Sequence, residues 1–373
     1  MMRYKLGNQG PPHLEAQLLI ELVICTTLHR NGGVKRTRFV TVFSNVSLCG
    51  PNQFRVSLFV IQRNCCQYDR ENYLCSLLLP AARQNFVFGL RAFNVELAQI
   101  RDRVNNAEQA NFRFQFWKDV VHSLFELNQD AQYTSPIVEN LRESMVGLRL
   151  SKFYFLQLIT ARQRHFNECS FPTLESARIY AEETNASVHY LISEAYGIRS
   201  IDVDHALNHL GRAQGLIALI RGAVPLARSR RVILLPLDML DKHCINQEHL
   251  LRLLRAEPTS DSSNMDQSLC DFFYDLACVA REQAVTAVRL STNLLNQSGS
   301  QENGTDGRPS PEIKRTRLLL PRLMLPLIPC LDYLMRLERT GHFDPRRVVG
   351  CDSNPLLPLR LVWTSWRGLI PRG

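Results

Sequence analysis

Residues 209–226 read His209-Leu-Gly211-Arg-Ala-Gln214-Gly-Leu-Ile-Ala218-Leu-Ile-Arg221-Gly222-Ala-Val-Pro225-Leu226, followed closely by Leu234-Leu-Pro236-Leu-Asp238. Gln214, Ala218, Gly222 and Leu226 recur at a spacing of four, which lays them along one face of a helix. Taken alone, such a face is a small-residue surface packed on a neighbouring helix. It has company upstream. Residues 86–102 read Phe86-Val-Phe-Gly-Leu-Arg91-Ala-Phe-Asn94-Val-Glu96-Leu-Ala98-Gln99-Ile-Arg101-Asp102, a second helical stretch. Between the two lie, in order, Phe114-Gln-Phe-Trp117-Lys118-Asp, then Ser135-Pro136-Ile-Val-Glu-Asn-Leu141, then a run from Leu174 through Tyr180 and Thr184 to Val188.

In this order the segments resemble the squalene/phytoene synthase family. Its pattern sets a DDxxD-like motif on one helix against a Q-x-x-N-x-x-x-D-x-x-x-D run on a facing one. On that pattern the first motif becomes Ala98-Gln99-Ile-Arg101-Asp102, so one acid remains. In the second, Gln214 is retained, the Asn position is read as Ala218, and the two Asp positions as Gly222 and Leu226. The chemistry of the family depends on several Mg ions bridging a diphosphate, and Mg demands carboxylate oxygens in near-octahedral array. One aspartate cannot hold such a cluster. A proline inside the second helix, Pro225, removes a backbone bond and is expected to break it. Asn94, Ala98, Gln99, Asp102, Gln214, Ala218, Arg221 and Gly222 are therefore read as vestigial cavity positions, with no catalytic residue, no metal and no cofactor. Gly222 is expected where the facing helices press together, so a bulky residue there would crowd them.

The resemblance covers about residues 68–373 and resumes at Leu320-Pro321 and Leu331-Asp-Tyr333-Leu-Met-Arg-Leu337. Within the family the likeness is to a non-enzymatic mitochondrial branch that serves respiratory complex I assembly. It is carried by Asn72-Tyr-Leu-Cys75-Ser-Leu-Leu-Leu-Pro80, by Leu90 to Gln99, by Ser229-Arg230-Arg231 ahead of Leu235-Pro236-Leu-Asp238, and by Asn354-Pro-Leu-Leu-Pro-Leu359 to Ser365-Trp366-Arg367. The resemblance implies an all-α, single large helical domain of the isoprenoid (squalene/phytoene) synthase type on the matrix side of the inner membrane. Its implied partners are complex I subunits or other assembly factors, with peripheral contact to the inner membrane and no nucleic acid. Trp363, Trp366 and Arg367 are candidates for a partner or membrane-surface contact, weighed against packing on the domain. Two other readings stand beside this one. An active prenyl transferase would need replacement acids near Asp102, drawn from Glu96, Glu182, Glu183 or Asp238. A lipid or isoprenoid carrier would use the same cavity without chemistry.

Composition agrees with a globular chain: 373 residues, 45% hydrophobic and 21% charged. The net charge of +9 is lopsided. Residues 1–68 hold eight basic residues against Glu15 and Glu21 alone, a surplus of six. What remains is unremarkable for a soluble domain and is no nucleic-acid footprint. An Arg-bearing, acid-poor leader over 1–67 reads as a mitochondrial transit segment, poorly ordered. The rival secretory reading falters because the apolar stretch Leu18 to Leu28 contains Glu21 and no clean cleavage site follows. The eleven cysteines are odd in number and form no C-x-x-C pair, so neither a disulfide framework nor a zinc ribbon is indicated. His165 and Cys169 have the spacing of half a metal site, read as a surface pair.

From Tyr68 the pattern predicts helix after helix, among them Gln84–Asn105, Asn111–Asn128, Leu174–Tyr196, Val203–Ile220, Gln247–Arg255 and Asp271–Leu290. Polar, turn-rich segments at about 257–266 and 296–311 are read as mobile loops. The apolar run Leu318–Met335 is interrupted by Arg322, Asp332 and three prolines, and is read as a buried helix pair rather than a membrane span.

Overall fold

In a computed structural model the described residues are 52–104, 106–126, 133, 135–256, 264–300, 311–349 and 354–371. Among them the regular structure is helical, with one isolated parallel bridge between Phe171 and Pro236. In chain order the helices are α1 (Asn52–Tyr68), α2 (Arg70–Leu77), α3 (Gln84–Arg103), α4 (Ala107–Phe125), α5 (Pro136–Ser144), α6 (Lys152–Arg164), α7 (Leu174–Ala181) and α8 (Ser187–Ala195). A π-helical turn, Glu182–Ala186, joins α7 to α8. There follow α9 (Ile201–Ser229), α10 (Leu237–Lys242), α11 (Gln247–Arg255), α12 (Asn264–Ser300), α13 (Pro311–Leu323), α14 (Leu327–Arg339) and α15 (Leu357–Arg367).

Local chemistry sets many of the ends. Asn106 caps α4 by accepting from the Gln109 amide at 2.8 Å, and Ser135 caps α5 just before Pro136, whose missing N–H is no loss in a first turn. Thr173 and Ser176 form a reciprocal capping box on α7. In the π turn the Thr184 and Asn185 side chains donate to the carbonyls of Tyr180 and Ala181, at 2.7 and 3.1 Å.

Long helix α9 lies along α12 and against α7 and the π turn. The crossing is close because of two glycines. A Cβ on Gly211 would fall 2.5 Å from the Ala186 backbone, and one on Gly215 2.3 Å from Ala181 Cβ. Gly222, expected at the tight point, would meet only Leu226 Cδ1 at 3.6 Å, an ordinary contact. The close approach is thus two to three turns nearer the helix start. Pro225 does not end α9 either. It stands on the exposed side while Ala223, Val224 and Ala227 stay buried, and packing on that face carries the helix past the lost hydrogen bond to Ser229.

One buried cluster gathers Phe86, Phe88, Phe93, Phe114 and Phe155 with Leu207 and Leu210. A second joins Phe171, Leu216, Phe272 and Phe273 to Leu334 and Leu337. A satellite of Leu74, Cys75, Leu325, Ile328, Leu357 and Leu361 seats α15 against α2 and α14.

Helix α1 also corrects the leader boundary. Leu58, Ile61 and Cys65 recur on one face and are buried in the first cluster, so α1, read as part of the leader, belongs to the packed domain. Residues 1–51, with the transit reading and with Cys25 and Cys49, lie outside the described residues. The loop boundaries shift as well. Helix α12 starts at Asn264 and runs to Ser300, taking in parts of both segments read as loops; residues 257–263 and 301–310 lie outside the description. The run Leu318–Met335 is a helix pair, α13 and α14, as expected. Ile313–Arg339 is long and apolar enough to cross a membrane, yet 83% of its apolar window is buried inside the fold.

Candidate functional site

The two motif helices, α3 and α9, are linked through the polar side of α2 and the residue just before it. Asp69 and Asn72 open a directional chain of hydrogen bonds. The His189 ring bonds the Gln214 carbonyl, the Gln214 amide donates to Asn72 Oδ1 at 3.0 Å, and the Asn72 amide donates to Asp69 Oδ1 at 2.7 Å. Arg91 faces Asp69 from α3 at 3.8 Å. Burial raises the pKa of Asp69, an effect the Arg91 charge opposes. Desolvation pushes His189 down to about 3, and the Arg91 charge adds to it. The imidazole is therefore neutral and has its Nε2–H to give. Gln214 is the link that ties α8, α9 and α2 together.

Two turns further along α9, Arg221 donates to Glu71 of α2 at 2.6 Å and lies over the Tyr333 ring, 4.4 Å from its centroid. Arg221, read as a cavity position, is thus spent on an ion pair and a stacking contact. Asn94 accepts from Arg162 of α6 at 2.8 Å, and desolvation lowers the Arg162 pKa. Gln99 accepts from Arg103, which also pairs with Glu96 at 2.7 Å. Ala98, Asp102 and Ala218 are exposed and Gly222 is half-buried. The backbone carbonyl of Asp102 accepts from Arg230, just beyond the end of α9. The expected positions therefore fall in two groups: an interior set of Asn94, Gln214 and Arg221 held in polar networks, and an outer set of Ala98, Gln99, Asp102, Ala218 and Gly222.

Could these residues hold a Mg cluster? Carboxylate oxygens in number are the requirement, and Ala98, Ala218 and Gly222 have no side-chain oxygen. The register of the second motif does not rescue the site. At the family pattern's own spacing from Gln214 the positions become Ile217, Arg221 and Pro225, again without a carboxylate. Each acid that might substitute is committed elsewhere: Glu96 to Arg103, Glu182 to Arg212 at 2.6 Å, and Glu183 to Arg164 at 3.3 Å. Asp238 accepts from the Leu174 amide at 2.9 Å and the Met239 amide at 2.8 Å, capping α7 across the bridge. Among the described residues no group of three or more His, Cys, Asp or Glu gathers to hold an ion. The residues do not fit the cluster.

Other nucleophiles and ligands are quiet. Burial pushes the thiols of Cys65 and Cys330 up to about 12 and Cys75 higher, which leaves them unreactive. His165 bonds Glu168 through Nδ1 rather than pairing with Cys169. The sequence signal missed was the polar face of α2: Asp69, Glu71 and Asn72 precede the first motif, and their spacing at the start of a short helix marks a face turned to a polar neighbour.

The all-helical domain has the architecture of the isoprenoid synthases. The squalene/phytoene synthase profile matches residues 66–349, and the chain belongs to that family. Its fold is similar to a squalene synthase, HpnC, from Alicyclobacillus acidocaldarius, with a TM-score of 0.57 at 15% identity over 79% of this chain and 97% of that one. A ligand-bound dehydrosqualene synthase gives 0.56 at 13%, covering 84% and 97%. Closer in sequence are proteins named NADH dehydrogenase (ubiquinone) complex I, assembly factor 6. Those of Rattus norvegicus and Homo sapiens are 32% identical over 299 residues, 80% of this chain and 79% of theirs. The homologue of Drosophila melanogaster is 31% identical over 303 residues, 80% of each.

Proposed function

We propose that this protein is a mitochondrial assembly factor for complex I, built on a prenyl-synthase fold that no longer carries out prenyl chemistry. The observation that carries the reading is the pairing of two facts. The chain matches proteins named complex I assembly factor 6 over four-fifths of its length, and the motif positions on α3 and α9 offer one carboxylate, Asp102, where Mg-dependent ionisation needs several. The acids of the interior are neutralised by Arg91 and Arg221 instead of being turned to a ligand. Such networks fix the geometry of a scaffold.

The protein works from the matrix side of the inner membrane, as a peripheral component. It contacts complex I subunits or other assembly factors, and takes no cofactor. The basic, acid-poor leader directs import; residues 1–80 fused to a reporter place it in mitochondria, and a cytosolic or secretory pattern contradicts that. The function is tested by removing the protein and resolving the respiratory complexes by native electrophoresis. Complex I falls while the other complexes and the sterol and quinone pools hold. A primary fall in quinone instead supports the prenyl transferase reading.

A further inference from the structure

Helix α15 buries one face and leaves an apolar stripe on the other. Leu357 and Leu361 pack into the satellite cluster with Leu74, Leu325 and Ile328. On the opposite side Leu356, Leu359, Trp363 and Trp366 are exposed at 57, 47, 54 and 68%. Their spacing of three, four and three puts all four within one narrow arc of the helix. Arg360 and Arg367 fall at one border of that arc. Arg367 stacks on Trp363 with its guanidinium carbon 4.2 Å from the ring centroid, and Arg360 is tied to Asp332 of α14. The two indoles lie 5.7 Å apart. From residue 354 to 371 the chain has two arginines and no acid.

We infer that α15 is a docking edge for a bilayer carrying anionic lipid, with Trp363 and Trp366 seated at the headgroup level and Arg367 beside the lipid phosphates. This rests on the reading of the protein as a peripheral membrane component and names the surface that makes the contact. Tryptophan favours the boundary between headgroups and acyl chains, because its ring is apolar and its N–H still finds a polar partner there. An arginine stacked on the ring keeps its charge near the phosphate layer while its stem covers apolar surface. Size argues against a protein occupant. A stable protein interface needs about 800 Å² from each side, whereas the stripe is one side chain wide along an eleven-residue helix. A shallow wedge of that shape is enough for a membrane surface.

The chain has three tryptophans, and Trp117 is buried in the core, so fluorescence changes on adding lipid report α15. The test uses the purified full chain with vesicles of phosphatidylcholine alone or with one-third phosphatidylglycerol, some carrying brominated acyl chains. The emission shifts to the blue and is quenched by bromine with the anionic vesicles, and the response weakens at high salt. In the variant Trp363→Ser/Trp366→Ser, with unchanged Tm, partitioning drops roughly tenfold; a Phe112→Ser control on α4 binds as wild type does. The inference is overturned by binding without quenching, which would assign the contact to the basic leader, or by equal binding of the double variant. It is overturned as well if both indoles resist iodide before lipid is added, which would mean that residues 1–51 cover them, or if the wild type dimerises through this face. Failure here is distinct from failure of the assembly reading: a double variant that no longer binds vesicles yet restores complex I leaves the docking edge intact and shows it dispensable for assembly.

Discussion

His189 pays for its place in the interior by staying neutral. Its pKa, ordinarily 6.5, lies near 3 in the fold because burial and the Arg91 charge both oppose protonation. A base with a depressed pKa favours the fold above its ordinary value, and that stability is lost as pH falls through 6.5 toward 3. The slope is at most about 1.4 kcal/mol per pH unit for the single proton. Urea midpoints between pH 7.5 and 5 should therefore decline in the wild type and decline less in His189→Gln, whose amide can still donate to Gln214. Asp69, raised by burial, works in the opposite sense but is common to both proteins, so the difference isolates His189. Equal slopes would remove His189 from the network. Asp102 carries a second residue-scale prediction. A lone exposed carboxylate cannot assemble a Mg cluster, so incubation of the protein with Mg and farnesyl or geranylgeranyl diphosphate should give no product above a blank. Turnover that vanishes in Asp102→Ala would contradict this.

At the scale of elements, the crossing of α9 over α7 and the π turn depends on Gly211 and Gly215. A methyl at either must push backbone or a buried Ala181, not the tip of a flexible side chain. Gly211→Ala and Gly215→Ala should each cost about 1–3 kcal/mol or more of stability. Gly222→Ala should go the other way, gaining about 0.5–1 kcal/mol, since the site has room and alanine is the better helix residue. Thermal melts of the three variants decide it; a destabilised Gly222→Ala would return the tight crossing to that turn. These elements also show what the sequence discloses and what it hides. Gln247–Arg255 is legible to the residue because its Leu250, Leu251, Leu253 and Leu254 side is strongly segregated from charge. Small-residue spacing announced a close crossing on α9 but not its position, because Gly211–Gly215 and Ala218–Gly222 look alike until the partner helix is placed. Pro225 misleads for a related reason: local propensity says break, and the buried Ala223, Val224 and Ala227 outweigh it. Helix α1 is masked by Arg55 and Arg63, which give it a leader's composition, although Leu58, Ile61 and Cys65 already fall on one face.

For the whole molecule, the fold is that of the squalene/phytoene synthase family, and its motif helices are tied together by Glu71 and Asn72 of α2 and by Asp69 just before it, bonded to Arg221, Gln214 and Arg91. The family pattern was readable because it is carried by order and spacing of helices. The tasks of Gln214 and Arg221 were not, because both depend on contacts 142 and 150 residues away in the chain. The proposal at this scale is that the scaffold serves complex I without metal chemistry. Its most direct measurement is the complex I level, by native electrophoresis, in cells lacking the protein and supplied with the Asp102→Asn variant, which keeps the size of the side chain and removes its charge. Restoration equal to wild type is expected. Failure of a folded, imported Asp102→Asn protein to restore complex I would contradict it, since that carboxylate would then be at work on a cation.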